Sequence, residues 1–142
     1  MTLDGKLRTF AGLSAAERLM IFEAVLMLAV ARLLVLTVPF RVLARWLARA
    51  PDKGACDDTL PSQVRRAVTT AARNVPWNAV CLPQAMAAKA MLARRGHGSA
   101  FHLGARLDAE GRVVGHAWLA VGDTIVVGAA GSRDVAPLAR FG

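Results

Sequence analysis

Pro76-Trp77-Asn78-Ala79-Val80-Cys81-Leu82-Pro83-Gln84-Ala85, running on through Met86 to Arg94-Arg95-Gly96, is the stretch that organises the chain. Pro76 ends any helix before it, because its ring cannot continue one. Pro83 is tolerated only in a first turn, which places a helix start within a residue or two of Cys81. Good helix formers follow from Gln84, and Gly96 after two arginines reads as a C-terminal stop. A cysteine at that start sits in the field of the helix N-terminus, which favours a thiolate, and beside backbone N–H groups able to cradle an oxyanion. Further on, Gly115-His116-Ala117-Trp118 lies on a separate predicted strand and supplies a candidate base.

Working outward, the segment from Ser62 to Asn74, opened by Pro61, predicts a helix with an apolar ridge of Val64, Ala67, Val68 and Ala71. Before it, Ser14-Ala15-Ala16-Glu17 matches a capping box and starts a long apolar helix that stops before Pro39. Phe40 to Ala50 predicts a further amphipathic helix, with Val42, Leu43, Trp46 and Leu47 opposite Arg41, Arg45 and Arg49. Residues 1–12 read as a frayed polar terminus. The turn cluster Pro51-Asp52-Lys53-Gly54 is the one internal boundary, dividing a helical region 1–54 from a core 55–142 within a single compact domain.

After Gly96 the texture changes to strands: Ala100–Leu107, Arg112–Val121 and Thr124–Gly128, with Asp108 to Gly111 and Gly122-Asp123 as turns. Helices first and an antiparallel meander second is an α+β arrangement.

Composition narrows the function. The 142 residues carry a net charge of +8 and are 55% hydrophobic. Between Thr59 and Leu107 there are seven basic residues and no acid, which favours an anionic partner such as an acidic peptide. No zinc spacing, recognition helix or aromatic RNA-binding strand accompanies that charge, so nucleic acid is not expected. The spacing of His97, His102, His116, Cys56 and Cys81 matches no metal-ligand pattern, and no glycine-rich phosphate loop is present; neither metal nor cofactor is expected. Two cysteines make no disulfide framework, and Cys56, among Asp52, Asp57 and Asp58, lacks the surroundings of a reactive thiol.

The first long helix is interrupted by Arg32, and its longest uncharged run, Ala24 to Ala31, is shorter than the roughly 18–20 residues of a span. It reads as a buried helix, with docking to a partner or a peripheral membrane contact as the alternative. A reducing cytoplasm suits the cysteines, with membrane association as the variant of that reading.

Cys81 and His116 make a thiolate–imidazole pair if a helix start packs on the strand. Either alone reads equally well as core. Trp77 and Trp118 are core residues or cleft walls, and Gln84, one turn beyond Cys81, lines the site or bonds the adjacent loop.

Together, Pro76-Trp77-x-x-x-Cys81-Leu82-x-Gln84-Ala85, Arg94-Arg95-Gly96, Leu103-Gly104 and Gly115-His116-Ala117-Trp118 resemble the leader peptidases of lasso-peptide biosynthesis. That family lies among the transglutaminase-like, papain-related cysteine hydrolases. Leu13-Ser14-x-x-Glu17-Arg18 and the tail Leu138-Ala139-Arg140-Phe141 extend the likeness over nearly the whole chain. The resemblance implies a transglutaminase-like or papain-like core. It implies a cysteine endopeptidase in which Cys81 attacks the bond joining leader to core of a lasso precursor and His116 shuttles the proton. Its partners would be that precursor, a separate leader-recognition protein (no such domain precedes Ser14) and an ATP-using lasso cyclase. Trp77, Gln84 and Trp118 would bind substrate. The family's third catalytic member, an acid after the histidine strand, falls at Gly128. Asp134 is the first-ranked replacement, ahead of Asp123 at the hairpin turn, a backbone carbonyl or Asn78. The alternatives are a non-catalytic scaffold of the same fold and a transglutaminase-like acyltransferase or amidase.

Overall fold

The computed structural model describes residues 2–48, 59–122, 124–129 and 136–141, the last stretch as backbone. The expected boundary at Pro51–Gly54, together with Cys56, Asp123 and Asp134, lies outside the described residues.

Among the described residues, five helices precede a four-stranded antiparallel sheet of order β3-β2-β1-β4. The arrangement is α+β, as the order of predicted elements requires. The helices are α1 Leu3–Ala11, α2 Ala15–Thr37, α3 Phe40–Leu47, α4 Leu60–Asn74 and α5 Cys81–Arg94; the strands are β1 Ala100–Leu107, β2 Val113–Val121, β3 Thr124–Val127 and β4 Ala136–Phe141. Two elements go beyond the sequence reading. Residues 3–11 are helical rather than frayed, capped by Thr2, whose hydroxyl accepts from the Gly5 N–H at 3.3 Å. The tail forms an edge strand beside β1, where Pro137 is tolerated.

The capping box of α2 is complete: Ser14 Oγ accepts from Glu17 N–H at 3.2 Å, and Glu17 Oε2 accepts from Ser14 N–H at 2.9 Å. On α4 the ridge Val64, Ala67, Val68 and Ala71 is buried throughout. It meets Ala24, Leu28 and Ala31 of α2 and the apolar length of α5 in one core that also takes Phe101, Ala117 and Leu119 from the sheet. The expectation of a buried α2 holds for one face only. The residues at Leu19, Phe22, Leu26, Val30 and Leu33 all face solvent. Val42 of α3, placed on the apolar side from sequence, is exposed as well.

The basic bias between α4 and β1 is partly neutralised by α2. Glu23 receives Arg94 Nη1 and Arg95 Nη2, each at 2.6 Å, and Glu17 faces Arg66 at 3.4 Å. Glu23 thereby ties the C-terminal end of α5 to α2, and α5 is the helix whose other end carries the cysteine.

Candidate active site

Cys81 is the first residue of α5. The residue at the cap position is Val80, which has no side-chain oxygen, so no side chain caps this end. Pro83 supplies no N–H, and the first backbone bond into the helix is Gln84 N–H to Val80 O at 3.3 Å. The N–H groups of Cys81 and Leu82 accordingly have no partner among the described residues, which is the condition for receiving an anion. Cys81 is a free thiol, partly buried against the core.

The loop before it is held from inside the helix. Gln84 Nε2 donates to Ala79 O at 2.7 Å, so this side chain bonds the adjacent loop, one of the two roles read from sequence. Arg32 reaches the same loop, donating to Asn78 O at 3.5 Å. Trp77 packs against the core, and its Nε1–H is buried without an acceptor among the described residues.

His116 lies on β2, directly opposite Gly104 of β1. Opposite residues share a face, so the glycine leaves the imidazole unflanked by a β1 side chain. His116 and Trp118 share one face of the strand; Ala117 and Leu119 alternate to the other and join the core. Trp118 is buried and stacks on both imidazoles near it, His102 with ring centroids 5.2 Å apart and His116 at 5.9 Å. This stack restrains the plane of the His116 ring.

Among the described residues, the hydrogen-bond partner of His116 is a backbone oxygen. Its Nε2 lies 2.8 Å from Gly128 O. A carbonyl only accepts, so Nε2 carries the proton and, in the neutral ring, the lone pair resides on Nδ1. An even ladder from the hairpin, where Val121 pairs with Thr124, would set Ala117 and His116 against Gly128 and Ala129. The observed register shifts by one residue: Ala120 pairs with Ile125 but Leu119 with Val127. Val126 is the extra residue of a bulge, and Gly128 moves beside Trp118. There Gly128 adopts φ +85°, with the position of a Cβ only 2.5 Å from Ala117 O and 2.8 Å from Trp118 Cβ. A side chain at 128 would overlap the main chain of β2, and the Gly128 main-chain oxygen is what meets the imidazole there. Of the alternatives read from sequence, the backbone carbonyl is in contact with His116 and Asn78 is exposed on the loop, while Asp134 and Asp123 lie outside the described residues.

α5 packs directly against β2, so the structure brings together the two elements that carry Cys81 and His116. His97 sits in the turn after α5 with Nδ1 3.0 Å from Gly98 O, apart from that arrangement. The signal missed in the sequence was the glycine at 128 itself, a residue type that points to a positive φ or a close backbone approach.

No curated protein and no solved structure is found similar to the chain. A family model does match, described as the transglutaminase-like superfamily and aligned over residues 24–140, from the middle of α2 to β4. With the helix-borne cysteine, the strand-borne histidine and the helices-then-sheet order all inside that span, the chain belongs to the transglutaminase-like superfamily.

Proposed function

We propose that the protein is a cysteine endopeptidase that removes the leader from a lasso-peptide precursor. The observation that carries this reading is the start of α5: Cys81 stands there beside N–H groups that have no partner among the described residues, on a helix packed against the strand that holds an oriented His116. The superfamily includes both cysteine peptidases and acyltransferases; the choice of a leader peptidase rests on the Trp77, Cys81, Gln84 and His116-Ala117-Trp118 pattern in the sequence.

Nδ1 of His116 takes the proton from the Cys81 thiol, and the sulfur attacks the carbonyl carbon at the leader–core junction. Negative charge on the carbonyl oxygen is met by the Cys81 N–H and its neighbour. As the C–N bond breaks, the imidazolium protonates the leaving amine, which becomes the N-terminus of the core peptide. Water then attacks the thioester, giving its proton to His116, and the C–S bond breaks to release the leader carboxylate and restore the thiol. Trp77, whose Nε1–H has no acceptor among the described residues, borders the loop where substrate would lie. The core's freed amine is the group a separate ATP-using cyclase would join to a carboxylate. A leader-recognition protein would present the precursor.

Mass spectrometry of a candidate precursor, incubated with the recognition protein and either wild type or Cys81→Ala, tests the reading. Cleavage at the junction by wild type alone supports it. An intact precursor that both proteins still bind would favour a non-catalytic scaffold. Transfer of the acyl group to an added amine in preference to water would favour an acyltransferase.

A further inference from the structure

We infer that α1 and α2 form a docking face for an anionic lipid bilayer, on which the protein lies without crossing it. The inference is independent of the catalytic reading. Leu19, Phe22, Leu26, Val30 and Leu33 recur at helical spacing along the side of α2 opposite Ala24, Leu28 and Ala31, and each is 42–69% exposed. They span 15 residues, or about 21 Å of helix, with no polar side chain among them. Arg32 is the one exposed charge between Leu19 and Leu36, and it turns aside to Asn78 O.

The stripe continues onto α1. That helix has no buried residue; Leu3 and Leu7 are exposed, and Phe10 meets Phe22 edge-on at 5.7 Å. Arg18 fixes the corner between the helices, donating to Ala11 O at 2.9 Å and to Leu13 O. After the far end, α3 adds exposed Phe40 and Val42. By length and composition α2 is apolar enough to cross a membrane, and most of its apolar length is not buried in the protein. Crossing would strip Ala24, Leu28 and Ala31 from the core they share with α4 and α5.

Charge decides the occupant. Lys6 and Arg8 on α1 and Arg41 and Arg45 on α3 bracket the stripe, and none is in an ion pair among the described residues. Asp4 is the one acid on these two helices, while Glu17 and Glu23 of α2 are held by arginines. A protein partner is expected to meet about one hydrogen bond per 100–200 Å². A stripe without side-chain donors or acceptors, flanked by cations that have no ion-pair partner among the described residues, suits acyl chains beneath anionic headgroups.

The test is co-sedimentation of the full chain with phosphatidylcholine vesicles with or without phosphatidylglycerol. Wild type is expected in the pellet with anionic vesicles and in the supernatant with neutral ones. The doubly substituted Leu26→Gln, Leu33→Gln protein, with its thermal transition retained, is expected to stay in solution. Arg41→Gln with Arg45→Gln, which leaves the stripe intact, should weaken binding on the order of tenfold. Failure of wild type to pellet, or pelleting unaffected by Leu26→Gln with Leu33→Gln, overturns the inference. So does a lipid-free dimer that this variant dissociates, since a second copy would then cover the face. Resistance of bound protein to carbonate extraction overturns the peripheral mode in favour of a span.

Discussion

The Nε2 atom of His116 lies 2.8 Å from the carbonyl oxygen of Gly128, and that contact fixes which imidazole nitrogen is free to act as a base. The bulge at Val126 makes it, by bringing Gly128 alongside Trp118 at φ +85°. Gly128→Ala is therefore expected to cost about 2 kcal/mol or more, from the left-handed backbone and the overlap with Ala117 O and Trp118 Cβ. Gly128→Asp, which places an acid where the resemblance to leader peptidases implies one, should be at least as destabilised and should not raise activity. Chemical denaturation and the leader-cleavage assay check both. A Gly128→Asp protein as stable as wild type and more active would show that the carbonyl is not the orienting group.

The pairing of Cys81 with His116 has its own readout, free of any substrate. Iodoacetamide should modify Cys81 faster in wild type than in His116→Ala, by about tenfold near neutral pH, with peptide mapping separating Cys81 from Cys56. Equal rates in the two proteins would separate the thiol from the imidazole.

Much of this arrangement was legible because single residues carried it. Pro83 fixed the start of α5, Ser14 and Glu17 the start of α2, and the alternation of Val64, Ala67, Val68 and Ala71 the buried side of α4. Three features were not, each for a physical reason. α2 is apolar on nearly every side, so periodicity does not reveal which side the core covers. Gly5 and the charges of α1 mask a helix whose apolar side meets no core. The β3 bulge arises from strand pairing rather than from any local residue preference. One extra residue there moved Gly128 from beside Ala117 to beside Trp118, with its main-chain oxygen against His116.

Glu23 clamps α5 to α2. Hydrogen bonding from Arg95 first, then the charges of Arg95 and Arg94, hold its carboxyl below the ordinary 4.5 against the opposing effect of burial. A depressed folded-state pKa contributes stability above the unfolded value that is lost as pH falls through the folded one. Glu23→Gln should cost about 1 kcal/mol at neutral pH, the arginines being partly solvated, and should flatten the loss of stability below pH 4.5. Thermal melts across the acid range measure it. An unchanged acid profile would place the clamp's contribution in packing instead.

Lys89 presents the opposite sign. It is 2% exposed in the middle of α5, and Nζ donates one hydrogen bond, to Ser99 O at 3.1 Å. Burial lowers its pKa from 10.5. The unfolded chain then binds more protons than the folded one between the two values, so this residue makes stability rise with pH until 10.5 is reached. Lys89→Met keeps the length and volume of the side chain but removes the ammonium. It is expected to abolish that rise and, at neutral pH, to leave the protein at least as stable as wild type within about 1 kcal/mol. The lost bond to Ser99 O works against the relieved desolvation of the charge. Denaturant titrations of both proteins at neutral and alkaline pH decide the matter. A variant whose stability rises with pH as steeply as wild type would mean that the folded protein already solvates Lys89.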